Sequence, residues 1–169
     1  MKARVALSRL THKDKRVFLD AVSRSRKLHS PWVAPPRTAE KFRAFVKRMN
    51  GPSDFGLLVR SLSTGELIGF IEISNVVRGP FRSGYLGYFA FRGHERKGLM
   101  TEALRLVVRK AFSEMQLHRL EANIQPKNRA SIALVKACGF VKEGYSERYL
   151  KIGGRWRDHE RWAILARSR

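Results

Sequence analysis

Tyr85-Leu-Gly-Tyr-Phe-Ala-Phe91, followed by Glu95-Arg96-Lys97-Gly98-Leu99-Met100, is the stretch that decides how this chain folds. The apolar run over 85–91 reads as a buried strand. Met100, Ala103, Leu104, Val107, Ala111 and Met115 then recur at helical spacing, which predicts a helix from Leu99 to about Met115. A strand, a tight basic loop and a helix N-terminus together make a place to hold phosphate. Backbone N–H groups of a first helical turn lack intrahelical partners, and the helix dipole favours an anion beside them. Gly98 lets a ligand approach the backbone closely, and Arg96 and Lys97 add positive charge. Taken alone, a glycine at such a junction is more often a plain turn than a phosphate site.

Toward the N-terminus, Arg4–Leu10 has strand character. Thr11 is placed to cap a helix running to about Leu28, with Phe18, Ala21 and Val22 on its apolar side. Pro31, Pro35 and Pro36 interrupt the chain, and Thr38 caps a second helix whose stripe is Ala44, Phe45 and Met49. Phe55–Val59 and Leu67–Ile73 read as antiparallel strands joined by a turn at Ser63–Glu66. Toward the C-terminus, His118–Ile124 alternates like a strand. Pro126-Lys-Asn128 starts a helix that Gly139 ends, and Phe140–Ile152 and Arg155–Leu165 form two more strands. The expected fold is α/β in the α+β sense: a mixed, mostly antiparallel twisted sheet of about seven strands, with helices on both faces. Residues 1–169 read as a single domain, with no repeat or linker.

Charge is the unusual feature. Thirty-five Lys and Arg against 14 Asp and Glu give a net charge of +21. It is concentrated in residues 1–50, where 14 basic side chains face 3 acidic ones. A field of that size attracts polyanions, although net charge also serves solubility alone. No apolar run approaches the ~20 residues of a membrane span, and no signal-peptide core is visible. The five His and the lone Cys138 show no metal spacing, so no metal is expected. Cys138 reads as a small buried hydrophobe in a reducing cytoplasm.

The element order resembles the GNAT superfamily of acyl-CoA-dependent N-acetyltransferases. Its central motif, Gln or Arg, two residues, Gly, one residue, Gly or Ala, falls here on Glu95 to Met100. Gly98 holds its place, while Glu95 and Met100 depart from it. His118-Arg-Leu-Glu-Ala-Asn, Pro126-Lys-Asn128-Arg-Ala-Ser131 and Cys138-Gly-Phe140 are similar to the family's second half. Ser74-Asn-Val-Val-Arg-Gly79, Tyr85-Leu-Gly-Tyr88, Glu143-Gly-Tyr145 and Trp156-Arg-Asp-His159 are similar to the RimJ/RimL-like group, whose members acetylate the N-terminal α-amine of ribosomal proteins.

The resemblance implies acetyl-CoA as cosubstrate and direct attack by a neutral amine in a ternary complex. It implies that Arg96, Lys97, Gly98, Leu99, Met100 and Thr101 hold the pyrophosphate, and that Asn128 and Ser131 contact coenzyme A. It also implies that the backbone of Phe89, Ala90 and Phe91 binds the pantetheine arm in a gap between splayed strands. One of those amides is placed to polarise the thioester carbonyl. Glu95, a like charge beside that anion, is expected to point away or pair with Arg92 or Arg96.

For the base, Glu72 is a candidate, with a surface strand position equally open. Asp158 and His159, after Trp156, are placed to bind the α-amine or shuttle a proton, or simply to steady a hairpin. Asn75, Trp156 and His159 are the expected substrate contacts. The Tyr that relatives use to reprotonate the thiolate is Val135 here, so Tyr149, ahead of Tyr145, is the expected acid, with a core role also open. Expected partners are acetyl-CoA, the N-terminus of a ribosomal protein, and ribosomal RNA through the basic surface; the alternatives are a small-molecule amine as acceptor, or a non-catalytic RNA- or ribosome-binding role on the same scaffold. A monomer or homodimer with no membrane contact completes the expectation.

Overall fold

A computed structural model describes residues 3–166. Seven strands form one sheet: β1 (Val5–Arg9), β2 (Phe55–Ser61), β3 (Leu67–Val77), β4 (Ser83–Ala90), β5 (Arg119–Ile124), β6 (Val141–Ile152) and β7 (Arg155–Leu165). Their order is β1-β2-β3-β4-β5-β7-β6. Every neighbouring pair is antiparallel except β4 and β5. The helices are α1 (Lys15–Arg24), α2 (Arg26–His29), α3 (Ala39–Met49), α4 (Leu99–Ser113) and α5 (Arg129–Ala137).

Period-2 alternation in the strands builds a core on each face. Ile71, Ile73, Leu86, Leu120 and Ala122 turn to one face and pack with Leu104 and Val107 of α4 and Val135 of α5. Leu58, Phe70 and Phe91 turn to the other and pack with Phe18 of α1 and Phe42 of α3. Phe18 meets Phe42 at 5.2 Å and Phe91 at 5.7 Å between ring centroids, and Phe70 stacks on Phe89 at 5.4 Å. Burying each such ring contributes about 1.5–3 kcal/mol.

The first helical segment is broken where the sequence predicts continuity. Thr11 and Asp14 close a short 3-10 turn, with the Thr11 N–H donating to the Asp14 carboxylate at 2.9 Å. At Ser25 the helix ends and restarts as α2. The Ser25 hydroxyl donates to the Ala21 carbonyl and accepts the Arg92 N–H at 3.0 Å, so it ties this layer to the loop after β4.

The feature that makes a site is the fork between β4 and β5. They pair only at Ser83–Arg119, Gly84–Leu120 and Tyr85–Glu121. Beyond Tyr85 they part, while β5 continues on β7 through Ile124. Leu86–Ala90 is thus left with one open edge in mid-sheet. No helix of the described residues is long and apolar enough to cross a membrane.

Candidate active site

The fork opens a cleft of about 1040 Å³ that passes through the sheet. Leu86–Ala90 forms one wall and Ala122–Gln125 the other, and the N-terminal turns of α4 and α5 close one end. The volume is that of a small-molecule site.

At the α4 end, Gly98 is the N-cap with φ +72°, and the Glu102 N–H is the first to reach back, to the Gly98 carbonyl. The N–H groups of Leu99, Met100 and Thr101 therefore lack intrahelical acceptors, and all three residues line the cleft. Arg96, with φ +58°, lines it too. Lys97 does not: its ammonium turns back to the Gly93 carbonyl at 2.7 Å. Glu95 folds onto its own loop. Its carboxylate accepts the Gly93 N–H at 2.8 Å, and the backbone N–H groups around it hold its pKa below the ordinary carboxylate value. Where the sequence predicts turning away or pairing with Arg92 or Arg96, it forms neither ion pair and folds back onto the loop.

Asn128 caps α5, its side-chain oxygen accepting the Ser131 N–H at 3.2 Å, and both residues line the cleft. The Tyr88 hydroxyl donates to the Ser131 carbonyl across the gap, and burial raises its pKa strongly.

Along β4 the expected amides need correction. The Phe91 N–H donates to the Ile68 carbonyl at 2.8 Å, so it is not free for a ligand. Alternation along a strand then turns the Phe89 N–H toward β3 as well, and those of Tyr88 and Ala90 toward the cleft. Tyr88 is thus a cleft residue that the sequence reading passed over.

His29 is another. It is 2% exposed, lines the cleft, and its Nε2–H donates to the Ala90 carbonyl at 2.8 Å. Burial lowers its pKa, so the ring is neutral at pH 7. Only its place in the fold singles it out from the other scattered histidines.

Glu72 sits on β3 opposite Gly87. A Cβ on Gly87 would lie 2.9 Å from its Oε1, so the carboxylate rests over the bare Cα of a residue that lines the cleft. Burial raises its pKa, the Arg48 guanidinium 3.6 Å away lowers it in part, and the balance is upward. Its side chain is half-buried, paired with the exposed Arg48, and stands behind Gly87 without itself lining the cleft.

His159 is 3% exposed and lines the cleft. Its Nδ1–H donates to the Arg157 carbonyl at 2.9 Å, and burial keeps it neutral by lowering its pKa. The Tyr149 ring lies 6.3 Å from it between centroids. Tyr145 is engaged instead with Asp158, its hydroxyl donating at 2.7 Å.

Besides Lys97, the expected Asp158, Trp156 and Asn75 do not line the cleft, and neither do Glu72 and Tyr149. Asp158 accepts from Tyr145 and from the Arg148 N–H at 2.8 Å, and these bonds lower its pKa, so it fastens the β6–β7 hairpin and is poorly suited as a base. Trp156 is 60% exposed near the hairpin tip, paired with Lys151. Asn75 lies in a β3 bulge with φ +50°, its N–H donating to Asp54 at 3.0 Å. In each case the motif is present but the strand carries the side chain elsewhere. Cys138 is half-buried, with Sγ 3.7 Å from the Thr101 carbonyl and its thiol pKa raised by burial. Among the described residues no group of three or more His, Cys, Asp or Glu side chains is placed to hold a metal.

The arrangement fits a long ligand with an anionic head. Free N–H groups stand at the α4 end, open-edge amides run along β4, and the buried Asn123 Oδ1 on the opposite wall has no protein partner. Residues 4–141 match the family described as Acetyltransferase (GNAT) domain. The chain is 36% identical over 126 residues to "Probable N-acetyltransferase YjcK" of Bacillus subtilis (strain 168), covering 75% of this chain and 70% of that protein. It is 47% identical over 94 residues to "[Ribosomal protein uS5]-alanine N-acetyltransferase" of Escherichia coli (strain K12), covering 56% of this chain and 48% of that protein, about half its length. Among solved structures, Mycobacterium smegmatis RimJ in complex with CoA-disulfide superposes with a TM-score of 0.87 at 27% identity, over 96% of this chain and 82% of that one. These likenesses bear out the fold and the resemblance read from the sequence.

Proposed function

This chain belongs to the GNAT family and is an acetyl-CoA-dependent acetyltransferase, and on that premise we propose that its acceptor is the N-terminal α-amine of a protein, a ribosomal protein in particular. The observation that carries this reading is the shortage of carboxylates along the wall of the cleft, which Arg96 and Arg129 line. Its only carboxylate is Glu95, turned onto its own loop beside α4. The face opposite α4 and α5 presents Leu28, His29, Trp32 and Val33, with His159 across from them. A polyamine would need several carboxylates to replace its hydration; one peptide amine with a small side chain needs only an acceptor for its proton. The relative named as a uS5-alanine acetyltransferase supports the same class. Residues 1–169 act as one catalytic domain in the cytoplasm.

Bound acetyl-CoA supplies an activated thioester. Leu99, Met100, Thr101 and Arg96 hold its pyrophosphate, and Asn128 and Ser131 border its path. The cleft-facing amides of Tyr88 and Ala90 donate to it. Glu72, beside Gly87 near the vertex of the fork, takes the proton from the acceptor amine. An α-amine has a pKa near ~8, so a base of raised pKa suffices. Tyr149, with its ring against His159, returns a proton to the departing thiolate.

The test is acetyl transfer to peptides beginning Ala, Ser or Thr, with spermidine and an N-terminally blocked peptide carrying an internal Lys as competitors. Transfer confined to the free N-terminus, located by mass spectrometry, is the expected result. Faster turnover of spermidine or of the blocked peptide overturns it.

A further inference from the structure

We infer that the outer face of α1–α3 is a docking surface for the phosphate backbone of RNA, set beside the acceptor side of the cleft. Nine exposed Lys and Arg side chains between Lys13 and Lys47 have no carboxylate partner among the described residues. Only one carboxylate of the same layer, Glu40, is left without a cation: Asp14 is taken by Arg60 and Asp20 by Arg24. Arg43 and Lys47, one turn apart on α3, line an open groove of about 560 Å³ with Thr11, His12 and Asn50 on its other side. The groove holds no acid; Leu10, Ala44 and Val46 supply its apolar lining, and Arg43 and Lys47 its cations. Such a surface is repelled from itself unless counterions or a polyanion cover it.

The kind of polyanion follows from what the face lacks. A protein–protein interface is built on an apolar core. Among the exposed large hydrophobic residues, Val17 alone belongs to α1–α3. Nucleic-acid interfaces are polar, wet and driven by phosphate neutralisation, and need no such core. The layer also shows no run of exposed aromatics for base stacking, so contact is expected with the backbone and not with bases. The choice of RNA over DNA rests on the acceptor class proposed above.

Placement gives the surface a use. The inner side of the same layer supplies Leu28, His29, Trp32 and Val33 to the cleft. RNA held on its outer side keeps a neighbouring protein N-terminus at high local concentration.

The test compares Arg43→Glu/Lys47→Glu with Lys151→Glu/Arg155→Glu, an equal charge change on the exposed β6–β7 hairpin. Binding of a fluorescent structured RNA is titrated by anisotropy at several salt concentrations, with DNA of the same length and poly-glutamate of matched charge as rivals. The groove variant is expected to lose at least tenfold in affinity, with a salt slope smaller by ~1–2. The hairpin variant should lose under threefold. Both should acetylate a short free peptide at the wild-type rate, which separates this proposal from the acceptor assignment. Equal losses in the two variants, or equal binding of DNA or poly-glutamate, overturn it.

Discussion

Arg4 closes onto Glu102 with both its backbone and its side chain. Its N–H donates to Oε1 at 2.7 Å and its Nε to Oε2 at 2.9 Å, while its Nη1 donates to the Lys97 carbonyl at 3.1 Å. Residues 93 and 98 positions apart in sequence are thereby fixed around the N-cap of α4. A carboxylate in a first helical turn suits the dipole, but here it shares the turn with an expected pyrophosphate. Arg4 neutralises it and anchors the loop.

Arg4→Met should therefore raise KM for acetyl-CoA by about three- to tenfold, equivalent to ~0.7–1.4 kcal/mol, with kcat little changed. Arg4→Met/Glu102→Gln should recover most of the loss, because the exposed repelling charge is gone. Steady-state kinetics at varied acetyl-CoA check both. Equal KM values for the single and double variants would show that anchoring, not charge, dominates.

Gly98→Trp should abolish measurable acetyl-CoA binding by isothermal titration. At φ +72° any side chain is strained, and an indole there stands at the row of free N–H groups. Wild-type affinity in this variant would remove the α4 turn from the binding site.

That turn was legible because helix-end chemistry is local: Gly98, the apolar run before it and the amphipathic run after it are adjacent in sequence. Asn128 as the α5 cap was legible for the same reason. Catalytic placement is not local. Trp156 and Asp158 sit in a motif with His159, yet only His159 reaches the cleft, since neighbours on a strand face opposite ways and the hairpin runs past the fork. His29 carries no signal in sequence. Its importance comes from the Ala90 carbonyl, which lost a strand partner when β4 left β5. The break at Ser25 likewise depends on a bond to Arg92, 67 residues away.

Glu72→Gln should lower kcat by about 10²–10⁴. The base works deprotonated, and burial raises its pKa, so kcat/KM should climb with pH through a value above the ordinary carboxylate range. The variant should lose that limb. The folded state holds this proton more tightly than the unfolded chain does. Glu72 thus contributes stability below its unfolded pKa that is lost as pH rises through the folded one. Glu72→Gln should accordingly be no less stable than wild type at pH 7, which thermal melts can confirm.

Asp158→Asn should leave transfer to a free peptide within about threefold of wild type, because the carboxylate stands outside the cleft. It should lower Tm, since the Tyr145 and Arg148 bonds hold the hairpin. Its depressed pKa gives the opposite sign to Glu72: this stability is present above the unfolded pKa and fades as pH falls through the folded one. A collapse of kcat with unchanged Tm would return Asp158 to the catalytic set.

Gly87→Ala tests the position of the Glu72 carboxylate without touching its chemistry. The new methyl would fall 2.9 Å from Oε1 and 3.0 Å from Cγ of Glu72. These atoms belong to a movable side chain, and φ at Gly87 lies outside the left-handed region, so the fold should accept the change. The carboxylate must shift, and displacement of a catalytic group by about 1 Å costs on the order of 10²-fold. Expected are a kcat at least tenfold lower, an unchanged KM for acetyl-CoA, and a Tm within a few degrees of wild type. Added to Glu72→Gln, the alanine should cost nothing more, because the group it displaces is already inactive. A full additive loss in the double variant would mean that Gly87 serves the ligand directly.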